Sequence, residues 1–165
     1  MKRSLQDWAS LAEIIGTAAI VLSLIFVGLQ MSNNTREMRS AAAHNATQSL
    51  QAFYLDISSN PEAAHVMRLG VSDPNALSKD EAFVYMMKIH SAMLTYQNVF
   101  FLGTEGALDA SLHLTLIKTL GAIVPTPGFD WYWRQRADYF TPEFRVFIEE
   151  LLISEGASKG AEIYR

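Results

Sequence analysis

The sequence predicts an all-α protein: one long N-terminal transmembrane helix continuing into a small helical-bundle domain. Three observations carry this expectation. Residues 14–35 are 22 consecutive positions without a formal charge. Downstream, apolar residues recur at spacings of three and four, the period of one helix face. No run of alternating β-branched residues joined by hairpin turns is present. The expected division is a short flank at 1–8, a transmembrane helix at 9–31, a helical stalk at 32–59 and a helical domain at 60–165.

The apolar run comes first. At 1.5 Å per residue, its 22 positions span about 33 Å, enough for a hydrocarbon core of about 30 Å. Trp8 stands at one end, where an interfacial aromatic belongs, and Gln30, Asn33 and Asn34 stand at the other. A cleaved signal peptide would have a shorter apolar stretch and a small-residue cleavage site close behind it. Here Gln30-Met31-Ser32-Asn33-Asn34 follows instead. Lys2 and Arg3 on one side match Arg36 and Arg39 on the other, so the count of basic residues sets no orientation. Ala12, Gly16, Ala19 and Ser23 fall at spacings of 4, 3 and 4, which puts four small residues on one face. Small faces let membrane helices approach closely, so this face is a candidate oligomerisation seam.

No Gly or Pro interrupts residues 29–59, and the stretch is rich in good helix formers. Ala43, Ala46, Leu50, Phe53 and Ile57 repeat at spacings of 3, 4, 3 and 4, as a coiled-coil seam or one face of a bundle would. The self-association reading extends the seam from the anchor through Ala46, Leu50 and Phe53.

Asn60-Pro61-Glu62 is a helix start: a capping side chain, a proline at the first position and an acid facing the dipole. Gly70 is its expected stop. Ser78 and Glu81 form a capping box that opens the most apolar helix, 79–102, with Gly103 as its end. Lys88 inside that segment argues against a second membrane span. A further helix is expected over 108–123. Pro125, Pro127 and Gly128 read as a loop, a short helix follows at 130–139, and Thr141-Pro142-Glu143 opens the last one, to 154. The tail from 157 reads as frayed or partner-bound.

Composition narrows the function. Residues 40–165 hold 9 Lys and Arg against 14 Asp and Glu, a net of about −5, and show no basic face for nucleic acid. The chain has no cysteine, which excludes disulfides, thiolate metal sites and cysteine nucleophiles. No phosphate-binding glycine loop and no Ser/His/Asp pattern stands out, so no catalytic residue is assigned and no cofactor is expected. Glu62 and His65 form a lone Glu-x-x-His. Di-iron bundles need two such motifs and two more glutamates, so no metal ligand is assigned. Phe83, Met87, His90, Leu94 and Phe101 share a face of the 79–102 helix and form a candidate apolar ligand pocket. Trp131, Trp133, Arg134 and Arg136 are candidate interface residues, since Trp and Arg are enriched at subunit and membrane interfaces.

The anchor, followed by Gln30, then Asn34-Thr35-Arg36-Glu37-Met38-Arg39 and an Ala-rich helix, resembles a set of small bacterial single-pass membrane proteins of unassigned function. Trp133-Arg134 and Phe140-Thr141-Pro142-Glu143-Phe144-Arg145 fit the same set, so the likeness spans most of the chain. It implies no activity. It implies a bacterial inner membrane and a cytoplasmic C-terminal domain, because basic residues in that set concentrate after the anchor, although this chain also carries Lys2 and Arg3. The resulting expectation is a non-enzymatic single-pass protein in contact with membrane lipids. It would form a homo-oligomer through the transmembrane helix and stalk, as a scaffold, a ring or an accessory subunit of a larger membrane complex. The alternative is a membrane-tethered sensor whose bundle binds a lipid or apolar ligand.

Overall fold

The computed structural model describes residues 5–155, with side chains for residues 8–153. Lys2, Arg3 and the tail lie outside the described residues. The chain is all-α, with no strand among the described residues. It divides into two compact units between Ser40 and Ala41.

Helix α1 runs Leu5–Ser58 and contributes to both units. It is long and apolar enough to cross a membrane, the one such helix among the described residues. Every residue from 8 to 41 is exposed. Within this part, Thr17 and Thr35 donate their hydroxyls back to the carbonyls of Glu13 and Met31, each at 2.9 Å, so their polar atoms stay satisfied inside the helix. The expected stalk at 32–59 is therefore split, since residues 41–58 belong to the compact domain unit.

In that unit, Ala46 and Leu50 are buried in the core, while Ala43, Phe53 and Ile57 pack partly against it. Helix α2, Pro61–Ser72, starts as the sequence indicates: Asn60 Oδ1 accepts from the Glu62 and Ala63 amides at 3.0 and 3.3 Å. Gly70 does not end it. The helix continues to Ser72, and the Asp73 amide closes it by donating to the Leu69 carbonyl at 2.8 Å. Gly70 is needed for packing, because a Cβ there would lie 2.3 Å from a Tyr85 ring carbon.

Helix α3, Lys79–Thr104, opens on the capping box, with the Ser78 amide donating to Glu81 Oε2 at 2.8 Å and the Glu81 amide to Ser78 Oγ at 3.3 Å. It is the central helix and packs against α2, α4 and α5. Tyr85, Ile89, Ala92, Met93, Tyr96 and Val99 are its buried face. Gly103 lies inside the last turn; the left-handed turn falls at Gly106, with φ +69°. Helix α4, Ala110–Leu120, is shorter than expected; Asp109 caps its start through the Ser111 and Leu112 amides.

Helix α5, Pro127–Arg136, starts earlier than expected. Buried Thr126 caps it: its Oγ1 accepts from the Phe129 amide at 3.2 Å and donates to the Ile123 carbonyl at 2.7 Å. Pro127 and Gly128, expected in a loop, thus form the first turn, where proline fits. Helix α6, Pro142–Glu155, buries Phe144 and Ile148 fully. A chain of rings then crosses the domain. Trp133 stacks between Phe129 and Phe140, at 5.6 and 5.4 Å, and Phe144 lies 5.7 Å from both Phe140 and Phe100. Such pairs add about 0.5–1.5 kcal/mol each beyond their burial.

Candidate functional site

The first candidate surface is the small-residue face of α1. Ala12, Gly16, Ala19 and Ser23 are all exposed. A Cβ added at Gly16 would meet nothing within 4 Å. The helix thus presents a continuous face that no side chain fills among the described residues.

The lower part of the expected seam is different. Ala46 is 1% and Leu50 4% exposed, so both are spent on the domain's own core, and Phe53 is half-buried against that core. The spacing that fits a coiled coil here serves one face of an intramolecular bundle. These three residues are therefore corrected from an intermolecular seam to core packing.

The pocket expected on α3 is also corrected. Phe83 is 63% and Leu94 47% exposed, and Met87 is exposed as well; they form an outer stripe and do not enclose a ligand. Only the middle of this face is covered, by α5 and the segment after it. There His90 Nδ1 lies 2.8 Å from the Tyr132 hydroxyl, with the rings of Tyr139 and Phe140 at 6.0 and 5.3 Å. Gln97 Oε1 accepts from the Thr141 amide at 2.9 Å. Phe101 is half-buried and meets the Phe100 ring at 5.3 Å. Burial lowers the His90 pKa from its ordinary value, and the Arg136 charge lowers it further. Burial raises the Tyr132 phenol pKa. At neutral pH the pair is thus an uncharged hydrogen bond that fixes α5 on α3, with no carboxylate bonded to it among the described residues.

The aromatic patch separates into core and surface. Trp133 is 6% exposed and Tyr132 is fully buried, so Trp133 is corrected from interface to core. Its neighbour Trp131 is half-buried, with its ring 6.2 Å from Tyr85. Arg136 donates from Nε and Nη2 to Met86 Sδ at 3.1 Å and stands 5.1 Å above the Tyr139 ring. Arg134 is exposed and pairs with Asp130 at 2.6 Å one turn back. Two of three consecutive large aromatics face inward because α5 is held between α2 and α3.

Glu62 sits exposed in the first turn of α2, and His65 Nε2 lies 3.9 Å from Glu81 Oε1. No group of three His, Asp or Glu side chains gathers around a common point among the described residues.

The structure adds a site that sequence spacing did not single out. A groove of about 290 Å³ lies between the end of α1 and α2. Phe53 and Ile57 form one wall, Ala64, Met67 and Val71 the other, and Ile123 the remaining side. Its exposed lining residues are Tyr54 and Arg68. The signal was present as two stripes, 53/57 and 64/67/68/71, each at helical spacing. Nothing in either stripe reveals that the helices leave a gap between them. Comparison of the chain with known protein families, characterised proteins and solved structures gives no match.

Proposed function

We propose that this chain is a single-pass membrane protein whose anchor helix both holds the helical domain at the bilayer and joins copies of the chain. The assembly acts as a scaffold or an accessory subunit in a bacterial cytoplasmic membrane, with the domain on the cytoplasmic side. The observation that supports this most is the bareness of the anchor. Its 18-residue apolar window is 0% buried, so among the described residues nothing packs on its small-residue face. In lipid a lone helix gains van der Waals contact and lipid entropy by pairing along such a face, and Gly16 permits the close approach.

The self-association surface is confined to the anchor, because Ala46 and Leu50 already pack inside the domain. The domain's net negative charge by sequence disfavours additional contact with anionic headgroups.

The test is the oligomeric mass of the full chain in nanodiscs. A defined oligomer that Gly16→Leu dissociates to monomer supports the reading; a strict monomer at every protein concentration rejects it. Since the chain contains no cysteine, Glu149→Cys labelling with a membrane-impermeant maleimide in intact cells reports orientation. Labelling without lysis would contradict a cytoplasmic domain.

A further inference from the structure

We propose that the groove between the end of α1 and α2 binds a single-chain amphiphile with an anionic head: an acyl chain between Phe53, Met67 and Ile123, its carboxylate or phosphate on Arg68. The groove lies wholly within the domain unit, and the proposal stands apart from self-association of the anchor. Three observations fix the ligand class.

The first is size. A volume of about 290 Å³ is at the lower edge of small-molecule pockets, which start at roughly 300 Å³. It equals about ten water volumes, room for one chain of roughly ten carbons. The second is chemistry. Met67, Val71 and Ile123 are buried apolar side chains that line the groove, and Met67 adapts to a flexible guest. The third is charge. Arg68 is exposed, and its side chain has no ion pair or hydrogen bond among the described residues. On a domain with 14 acids and 9 bases over residues 40–165, an unpaired guanidinium beside an apolar groove is a local anion site. Its fork of donors fits a carboxylate or a phosphate. Tyr54, 45% exposed, offers a second polar tip at the same opening.

The probes are octanoate, decanoate and dodecanoate, with decyl phosphate and decanol as head-group controls. They are added to the full chain in phosphatidylcholine nanodiscs, with empty nanodiscs correcting for partition into lipid. The readout is the ¹³C-methyl resonance of Met67. Saturable shifts are expected, with affinity rising about fourfold per added methylene until the groove is full. Arg68→Gln, at an exposed position that the fold does not depend on, should weaken decanoate about tenfold and leave decanol unchanged. The tighter of decanoate and decyl phosphate identifies the natural head. A Met67 methyl that no chain length shifts overturns the proposal. So does equal binding of acid and alcohol that Arg68→Gln does not alter. A Met67 resonance that follows protein concentration instead of probe concentration would assign the groove to a second copy of the chain and overturn it as well.

Discussion

The contact between α2 and α5 is tight enough that one added methyl group should be felt across the domain. An ideal Cβ at Gly128 would lie 2.0 Å from the Gly70 carbonyl oxygen and 2.4 Å from the Tyr85 phenol oxygen. Ordinary contacts of this kind fall at 3.4–4 Å, so Gly128→Ala forces the two helices apart by about 1 Å or bends one of them. Overpacking of this sort costs roughly 1–3 kcal/mol, and occasionally more. The better helix propensity of alanine returns at most about 1 kcal/mol. A net loss of about 1–2 kcal/mol lowers the melting midpoint of a domain of this size by about 4–8 °C. The assay is thermal unfolding of the full chain in detergent, followed by near-UV circular dichroism. Gly28→Ala is the control, since a Cβ there meets nothing within 4 Å, and it should melt like the parent. Tyr85→Phe added to Gly128→Ala should not restore the loss, because the closest obstacle is backbone. An unchanged midpoint for Gly128→Ala would refute the geometry of this contact.

Further outcomes follow from the same packing. Trp133→Ala should cost about 3–5 kcal/mol, read as a lower melting midpoint at unchanged oligomeric mass; lost assembly with unchanged melting would return Trp133 to an interface role. Leu50→Ala should cost about 2–5 kcal/mol and likewise leave the oligomer intact, whereas dissociation without destabilisation would restore the stalk seam. His90 gives a pH signature. Its folded pKa lies below the ordinary 6.5, so the unfolded chain takes up the proton first as pH falls. Its contribution is whole above about pH 6.5 and is lost as pH drops from there through the folded pKa. The groups facing it are Tyr132, Arg136 and Tyr139. Parent and His90→Gln melting curves should therefore converge as pH falls through that window; parallel curves would contradict the burial of His90.

How much of this was legible in the sequence depended on whether the signal was local. The long apolar part of α1 was readable because 14–35 is an uncharged run as long as a bilayer crossing demands, and the helix there is long and apolar enough for one. The starts of α2 and α3 were readable because Asn60, and Ser78 with Glu81, satisfy amides only two or three residues away. Glycine was the main source of error. Gly70 and Gly128 look like a helix stop and a loop, yet each sits inside a helix because another element needs the space of its missing side chain. The face from Phe83 to Phe101 spans one stripe in sequence, but only the part near His90 and Gln97 is covered. The amphiphile groove was not legible, because a gap between two helices leaves no trace in the spacing along either one.

The central claim, that copies join along the small-residue face of the anchor, is tested most directly by disulfide scanning in native membranes. Single cysteines would be placed at Ala12, Gly16, Ala19 and Ser23, and on the opposite face at Ile14, Val21 and Ile25. Cross-linking should be high at the first four positions and low at the other three, following the turn of the helix. Uniformly low yields, or a maximum on the Ile14 face, would contradict the account.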